Sequence, residues 1–422
     1  MTELIVRGVF CLFVFWLPLE SPNRSFAFDT TTLLGFVFLA TTLLAPRLCY
    51  RRVPGALWWF FAYLYACALA FAFGPGDHGL EVRNYLLRIG QLVMIFWAGS
   101  NLMRDERTAR VALLSFVVSC TALAIMQLTG IGSAPVELEG GLRRASVLGQ
   151  NPNRTARLLG GAILMVVGLS YGRPRPVFRP RLLVWPLAAM MLMAVIKTGS
   201  RGGLLALFAG LWMFAFAGTT LSAKVKNALL TLIAVVVVGA LTMQSPLMRK
   251  RLEMAESGNL AKREDIFPAA LQLFVEKPLM GWGVVENQYE LALRLPQHGV
   301  ESRDTHNLVL EVTTTTGLLG AIPFLIGLAT CAVYAWRART GPSGILPLAM
   351  FAAACVGNMS GNLLAFKTYW VMLAFATASA ALSGPIRARA SVPIASPHGR
   401  LARAHSHADA HPGHPPRPRS AN

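Results

Sequence analysis

Twelve apolar runs, most of them near the length of a membrane-spanning helix, follow one another along this sequence. They cover residues 4–20, 30–45, 55–73, 84–103, 109–131, 154–172, 182–198, 203–218, 228–243, 308–336, 344–364 and 366–383. A helix that crosses the hydrocarbon core needs about 20 apolar residues. Only 14% of the residues are charged, against about 25% in soluble domains, so too little polar surface remains for a water-soluble body. The pattern predicts an all-α polytopic membrane protein with about twelve transmembrane helices.

The first run has two interpretations. Its apolar core follows Arg7, as in a secretory signal peptide. No convincing small-residue cleavage site follows, and further spans come directly after it. We therefore expect an uncleaved first span.

Basic residues mark every even-numbered exit from the predicted spans. They are Arg47, Arg51, Arg52, Arg104, Arg107, Arg110, Arg173, Arg175, Arg179, Arg181, Lys224, Lys226, Arg337 and Arg339, with more arginines after residue 384. Short cytoplasmic loops carry an excess of Lys and Arg. The chain is therefore predicted to have both termini in the cytoplasm and its odd-numbered exits outside.

The predicted topology divides the chain into four parts. Residues 1–243 hold about nine transmembrane helices, 244–305 form one large outer loop, 306–383 hold about three more spans, and 384–422 form a tail. Within the loop, apolar residues recur at helical spacing; they are Ile266, Phe267, Ala270, Leu271 and Phe274. We expect an amphipathic helix there, on the membrane surface, packed against the spans, or both.

The tail is basic and rich in histidine, proline and alanine. Such a tract can bind metal, but its lack of apolar periodicity favours a disordered cytoplasmic tail. The formal net charge of +19 follows from basic loops, and no basic segment interleaved with stacking aromatics indicates nucleic-acid binding. The six cysteines lie in or beside apolar stretches and form no disulfide framework.

Arginines on the predicted outer side break the charge rule. Arg201 lies in a tight turn, Thr198-Gly-Ser-Arg-Gly-Gly203, whose glycines would let backbone approach a ligand. A cation there needs an anionic partner or water; the alternative is an arginine that reaches the interface. Arg263 precedes the amphipathic helix and is either part of an anion site or a salt-bridge partner in a charged run.

Five further residues are weaker candidates for substrate binding: Arg88, Arg144, Asn153, Asn307 and Glu311. Arg144 precedes an Asn-Pro turn, in which Asn153 is expected to cap the following helix. Arg88 lies within the fourth span and is expected to turn inward, toward protein or water.

His306 is the sharpest candidate for catalysis. A neutral imidazole near pH 7 can accept a proton, which suits a general base; the alternative is a histidine bonded to backbone or a neighbour at a helix start. Asn307 follows it, and Glu311 is a carboxylate placed to orient His306 or to pair with an arginine. No metalloprotease, P-loop or serine-hydrolase motif and no outer carboxylate cluster occurs. The sequence therefore predicts no cofactor and no metal.

Four segments in order resemble the O-antigen ligase and O-antigen polymerase superfamily. They are Arg144-Ala-Ser with Asn151-Pro-Asn153, then Thr198-Gly-Ser-Arg-Gly-Gly203, then Arg263 through Glu276-Lys-Pro-Leu-Met-Gly-Trp-Gly283, and His306-Asn307 with Gly317-Leu-Leu-Gly320. The resemblance covers roughly residues 140–320. One departure is Thr315, where family members often carry an acidic residue.

The resemblance implies an inverting, metal-independent glycosyltransferase of the bacterial inner membrane. It would move a glycan from undecaprenyl diphosphate to lipid A-core on the periplasmic face, with His306 as base and Arg201 and Arg263 binding the diphosphate. The same motifs fit a polymerase that extends O-antigen or exopolysaccharide, or an oligosaccharyltransferase acting on protein. A polysaccharide transporter is a third class, but transporters place polar residues near mid-membrane, often in repeated halves, and no repeat is visible.

Overall fold

A computed structural model describes residues 1–20, 30–73, 78–133, 135–137, 143–171, 183–218, 220–258, 262–295, 302–362 and 364–383. The basic stretch 173–181 and the tail 384–422, for which we predicted a cytoplasmic position, lie outside these residues.

The described chain is almost entirely helical. The helices are α1 (Thr2–Trp16), α2 (Thr30–Thr42), α3 (Pro46–Cys49), α4 (Gly55–Ala72), α5 (Gly79–Leu102), α6 (Glu106–Thr129), α7 (Pro152–Tyr171), α8 (Val184–Lys197), α9 (Arg201–Met213), α10 (Leu221–Met243), α11 (Pro246–Glu256), α12 (Arg263–Glu276), α13 (Glu286–Leu293), α14 (Leu308–Ala338), α15 (Leu346–Asn358) and α16 (Lys367–Leu382). Two short strands, β1 (Val136–Glu137) and β2 (Arg143–Arg144), pair antiparallel between α6 and α7.

Each of the twelve apolar runs coincides with one helix. Within the described residues, five helices are long and apolar enough to cross a membrane: α1 with its 3-10 extension, α4, α6, α10 and α14. Four further apolar helices in the same residues are shorter; they are α2, α8, α9 with its 3-10 extension, and α15. The all-α membrane class is confirmed, while the number twelve stays a prediction.

Several helix starts follow directly from the sequence. Asp105, Ser200, Thr220 and Ser245 each place a side-chain oxygen on a backbone N–H of the first turn that follows. These N–H groups have no partner within the helix, so a cap removes their cost. The caps set where α6, α9, α10 and α11 begin.

Side-chain and backbone contacts sort the loops into two ends of the bundle. At one end, which we call the arginine end, Glu20 after α1 pairs with Arg154, and Lys367 lies 4.0 Å from the same carboxylate. At the opposite end, Arg7 pairs with Asp105, and the Arg52 backbone bonds the Asn101 side chain. Among the described residues, the arginine end contains odd-numbered exits from the predicted spans and the opposite end contains even-numbered ones. Which end faces the periplasm remains a prediction of the charge rule.

The core between these ends is apolar and aromatic. Phe60, Phe96, Phe324 and Trp370 join α4, α5, α14 and α16, with ring centroids 4.9–6.4 Å apart. Aromatic pairs at such distances add to the stabilisation from buried area. All six cysteines are free, as expected, and four of them are buried.

The predicted amphipathic helix is α12. Its buried residues Ile266 and Ala270 pack in a small core with Leu291 of α13, Leu310 of the predicted span α14 packs against this core, and Leu271 is exposed. This confirms the packing interpretation of its apolar face.

The segment after α12 is joined to α14 through backbone. Trp282 and Gly283 donate N–H bonds to Thr314 and Thr315, and Leu318 donates to Pro278. These bonds are possible because α14 breaks at Gly317, where φ is +58° and ψ is −159°. A Cβ at Gly317 would lie 2.3 Å from the Leu279 carbonyl carbon. Only glycine fits this position.

Candidate functional site: an arginine cluster beside His306

Arg144 is buried in the turn that precedes α7. Its Nε donates to the Thr198 carbonyl at 2.7 Å, and its Nη2 donates to Asn153 Oδ1 at 2.7 Å. Asn153 therefore orients Arg144. The expectation that Asn153 caps α7 is wrong, because Asn151 Oδ1 accepts the Asn153 N–H at 2.8 Å and Asn151 lies just before the first helical residue.

Arg201 begins α9. Gly199 has φ +62°, Ser200 caps the helix, and Arg201 Nη1 donates to the Arg251 carbonyl at 2.8 Å. The two glycines after Arg201 are also required for packing. Cβ atoms at Gly202 and Gly203 would lie 2.2 Å from Ser360 Oγ and 2.5 Å from Ala156 Cβ, so these glycines let α9 pack closely on protein.

Arg157 and Arg263 meet at the carboxyl end of α15. Arg157 Nη1 donates to the Gly357 carbonyl at 3.0 Å, and Arg263 Nη2 donates to the Ser360 carbonyl at 2.9 Å. The end of a helix carries partial negative charge on its free carbonyls. This end holds two guanidinium groups in place without neutralising them.

These five arginines form one group, the arginine cluster. Its members are Arg144, Arg157, Arg201, Arg251 and Arg263. Burial, then Arg251 and Arg201, lowers the pKa of Arg144 to about 10. Burial and the neighbouring Arg201 and Arg263 also lower the pKa of Arg251. The charged forms are thus disfavoured by desolvation and mutual repulsion.

The cluster has few compensating carboxylates. Across the described ranges, no member of the cluster forms an ion pair within 4.0 Å. Glu264 attracts Arg201 and Arg263 at longer range, and Asp304 attracts Arg157 in the same way. The Nε atoms of Arg157, Arg251 and Arg263 are buried and have no hydrogen-bond partner in the same part of the chain. Bound phosphate oxygens would supply both the missing charge and the missing acceptors.

His306 stands beside the cluster in a strained turn. Its φ is +53°, its backbone N–H donates to Asp304 Oδ1 at 3.0 Å, and its side chain is 40% exposed. Burial lowers the pKa of the imidazole; Arg263, Arg303 and Arg157 lower it further, while Asp304 opposes them. The imidazole is therefore neutral at pH 7 and free to accept a proton.

Glu311 fixes the turn that carries His306. This buried carboxylate accepts a 2.8 Å hydrogen bond from Thr305 Oγ1, and Asn287 Nδ2 lies 3.4 Å away. Asn307 caps α14 through bonds from the backbone of Val309 and Leu310. Glu311 thus contacts Thr305, next to His306, and no arginine pairs with Glu311 among the residues described.

Arg88 does not join this site. Its side chain is exposed on α5, so the expectation that it turns inward is wrong. Helical phase explains the difference, because Ile89 and Leu92 occupy the buried face of α5.

Sequence reasoning missed Arg157, Arg251 and Ser360. Arg157 carried a usable signal, since an arginine inside an apolar run costs free energy without a partner. Arg251 was hidden in the run Arg249-Lys250-Arg251, where only the fold separates a buried residue from exposed ones. Within the described ranges, no group of three or more His, Cys, Asp or Glu is arranged to hold a metal ion.

An apolar crevice leads from the cluster between α7, α9, α15 and α16. Arg154 and Arg157 lie at one end, and small residues leave the space open along its length. They are Gly160, Gly161, Gly203, Ala206, Ala353 and Ala354. The remaining lining is largely apolar, including Met350 and Met372. Such a crevice suits a hydrocarbon chain whose polar end reaches the arginines.

Comparison with protein families gives one match. Residues 186–325 match the O-antigen ligase family model, Wzy_C. A comparison with curated proteins found no match. The matched stretch contains Arg201, Arg251, Arg263 and His306, together with the break in α14 at Gly317. The resemblance to the O-antigen ligase superfamily is therefore confirmed over residues 186–325, within a multi-pass membrane protein.

Proposed function

We propose that this protein transfers a glycan from undecaprenyl diphosphate to lipid A-core at the periplasmic face of a bacterial inner membrane. The observation that carries the proposal is a buried arginine cluster, poor in carboxylates, beside a neutral and partly exposed histidine. Guanidinium groups bind phosphate oxygens through paired N–H bonds. The apolar crevice supports a lipid-linked donor, because its arginine end can receive the diphosphate and its apolar part the first carbons of the prenyl chain.

In the proposed reaction, His306 takes the proton from a hydroxyl of the acceptor sugar. The hydroxyl oxygen attacks the anomeric carbon of the donor from the side opposite the diphosphate, forming the new glycosidic bond with inversion. The bond between that carbon and the phosphate oxygen breaks, and its electron pair leaves with the diphosphate. The arginines stabilise the charge that develops there, so the mechanism as proposed needs no metal ion.

The contacts of Glu311, Thr305 and Asn307 support the assignment of His306 as the base. They act through the turn and keep His306 in its left-handed conformation. A non-glycine residue with positive φ costs free energy and persists where surrounding contacts hold it.

The donor half of the site does not distinguish a ligase from the related enzymes. A polymerase of O-antigen or exopolysaccharide and a protein oligosaccharyltransferase would use the same diphosphate cluster and the same base. A transfer assay with a defined undecaprenyl-linked donor, offered lipid A-core, a growing polysaccharide and a protein acceptor in turn, separates them. Product on lipid A-core alone supports the ligase, and product on another acceptor reassigns the protein within the superfamily.

His306→Ala tests the base. We expect normal insertion in the membrane and a loss of transfer of about 10²–10⁴-fold, the usual contribution of general acid–base catalysis. The matched control is His78→Ala, which removes another histidine, stacked on Tyr289 with ring centroids 4.4 Å apart. Full transfer by the folded His306→Ala protein would exclude this mechanism.

A further inference from the structure

Helix α12 has a second apolar stripe, distinct from the face that packs on α13. Leu271 and Val275 lie one helical turn apart and are 54% and 68% exposed, and Leu279, just beyond the helix, is 69% exposed. Asp265, Gln272 and Glu276 occupy the neighbouring polar arc of the same exposed side. An exposed apolar stripe of this length marks a surface that contacts something other than water.

The backbone pairing with α14 fixes the depth of this stripe. Leu318 and Leu319 donate N–H bonds to the carbonyls of Pro278 and Leu279 at 2.8 and 3.0 Å. Leu279 therefore lies level with residues well inside α14, about ten positions after its first residue, Leu308.

The length of α14 places that level relative to the bilayer. The part of α14 after its break at Gly317 runs from Leu318 to Ala338 and spans about 31 Å at 1.5 Å per residue, close to the roughly 30 Å hydrocarbon core. Arg337 lies near the terminus of α14 at the opposite end of the bundle. About twenty residues, the length that crosses the core, lead back from Arg337 to Gly317. The pairing at Gly317 thus falls at the membrane boundary nearer the arginine end.

The stripe on α12 continues into an exposed apolar surface of α14, and this continuity indicates that lipid covers the stripe. Leu318, Leu319 and Ile322 are 40%, 48% and 53% exposed on α14, in the part of that helix that crosses the hydrocarbon core. The stripe on α12 joins this surface directly through the backbone bonds. Lys277, also exposed, lies between Val275 and Leu279 and places its Nζ 3.6 Å from the centre of the Trp282 ring.

We propose that Leu271, Val275 and Leu279 insert into the bilayer at its headgroup boundary, so that the carboxyl end of α12 is a lipid-contacting element. This rests on the crossing of the membrane by α14 and is independent of glycan transfer. The proposed insertion places one side of α12, which begins at Arg263, directly against lipid.

Spin labelling tests the insertion. Val275→Cys is labelled with a nitroxide in proteoliposomes, and its collision rates with oxygen, which concentrates in lipid, and with a water-soluble nickel complex are compared. Asp265→Cys and Gln272→Cys are matched controls on the polar arc, Leu271→Cys is a second test position, and the unsubstituted chain gives the background from its native cysteines.

We expect a higher oxygen-to-nickel ratio at Val275 and Leu271 than at both control positions. A ratio at Val275 and Leu271 equal to that at Asp265 would overturn the proposal, because the stripe would then face water. Low collision rates with both reagents would also overturn it, since a protein surface would then cover the stripe.

Discussion

The two ends of the helix bundle use arginine in opposite ways. At the opposite end, Arg47, Arg51, Arg52 and Arg107 are exposed, and Arg7 pairs with a carboxylate. At the arginine end, Arg144 and Arg251 are only 7% and 9% exposed. Solvated arginines in short loops orient a membrane protein. Desolvated arginines without carboxylates cost free energy, and such a cost persists where an anion has to be bound.

The comparison also separates two ways of holding a loop. At the opposite end, side-chain contacts such as Arg7 with Asp105 join neighbouring loops. At the arginine end, many arginine donors go to backbone carbonyls, including those of Thr198, Arg251, Gly357 and Ser360. A carbonyl fixes the position of a guanidinium while leaving its charge available for a ligand.

Among the substitutions that test the comparison between the two ends, the largest expected effect comes from removing one member of the cluster. Arg263→Gln is expected to lower kcat/KM for glycan transfer by about 10²–10³-fold, the usual cost of losing one preorganised donor to a developing charge. The matched control is Arg52→Gln at the opposite end, whose side chain is exposed and which should leave transfer unchanged. Equal losses in the two variants would remove the distinction between the ends.

A second substitution tests a residue that the sequence did not single out. Arg251→Gln should lower transfer by about ten- to a hundredfold, because a charge-assisted hydrogen bond contributes roughly 1.5–3 kcal/mol. Arg251 accepts from Arg201 through its backbone carbonyl, so that contact survives the change. Arg249→Gln, at an exposed position of the same helix, is the control. If only the Arg249 variant lost activity, the cluster would be misassigned.

A third prediction concerns the backbone pairing at the arginine end. Gly317→Ala forces a Cβ to within 2.3 Å of the Leu279 carbonyl at a positive φ, and backbone strain of this kind costs about 1–3 kcal/mol. Thermal unfolding of the purified protein in nanodiscs should show a lower Tm. Gly239→Ala, whose Cβ would meet no atom within 4 Å inside α10, should unfold at the same Tm as the parent or higher, because alanine favours a helix over glycine. Identical melting of the two variants would contradict the pairing.

The smallest effect is a shift in pH dependence. Transfer needs neutral His306, so activity falls as the pH drops through the imidazole pKa. Burial and three arginines lower this pKa, and Asp304 partly restores it. Asp304→Asn removes the opposing charge, so the acid limb of log kcat/KM should move to lower pH. The asparagine Oδ1 can still accept the His306 N–H. A shift to higher pH would mean that the titrating group is another residue.

Much of the fold could be predicted from hydropathy, because each apolar run of sufficient length folds into a helix whatever its neighbours do. The outer arginines and His306 could also be predicted as site residues, because a charged or ionisable side chain beside a span costs free energy unless it has a binding partner or reaches water. Arg201, Arg263, Arg144 and His306 do lie at one end.

Other features depend on contacts between distant residues. Arg157 and Arg263 meet at Ser360 and Gly357, about a hundred or more positions away, and no local pattern encodes that meeting. The glycines after Arg201 suggested ligand approach, and the structure adds a packing role against Ala156 and Ser360 that the motif did not indicate. The inward turn expected of Arg88 was wrong because its helical phase is set by the packing of α5.

Binding of a prenyl diphosphate to the purified protein in nanodiscs tests the central claim most directly. Undecaprenyl diphosphate is titrated against the parent chain and against Arg201→Gln, Arg263→Gln and Arg52→Gln, at two salt concentrations. We expect saturable binding that weakens with salt, falls strongly in the first two variants and is unchanged in the third. Undiminished binding by the Arg201 and Arg263 variants would contradict the assignment of the arginine cluster as the diphosphate site.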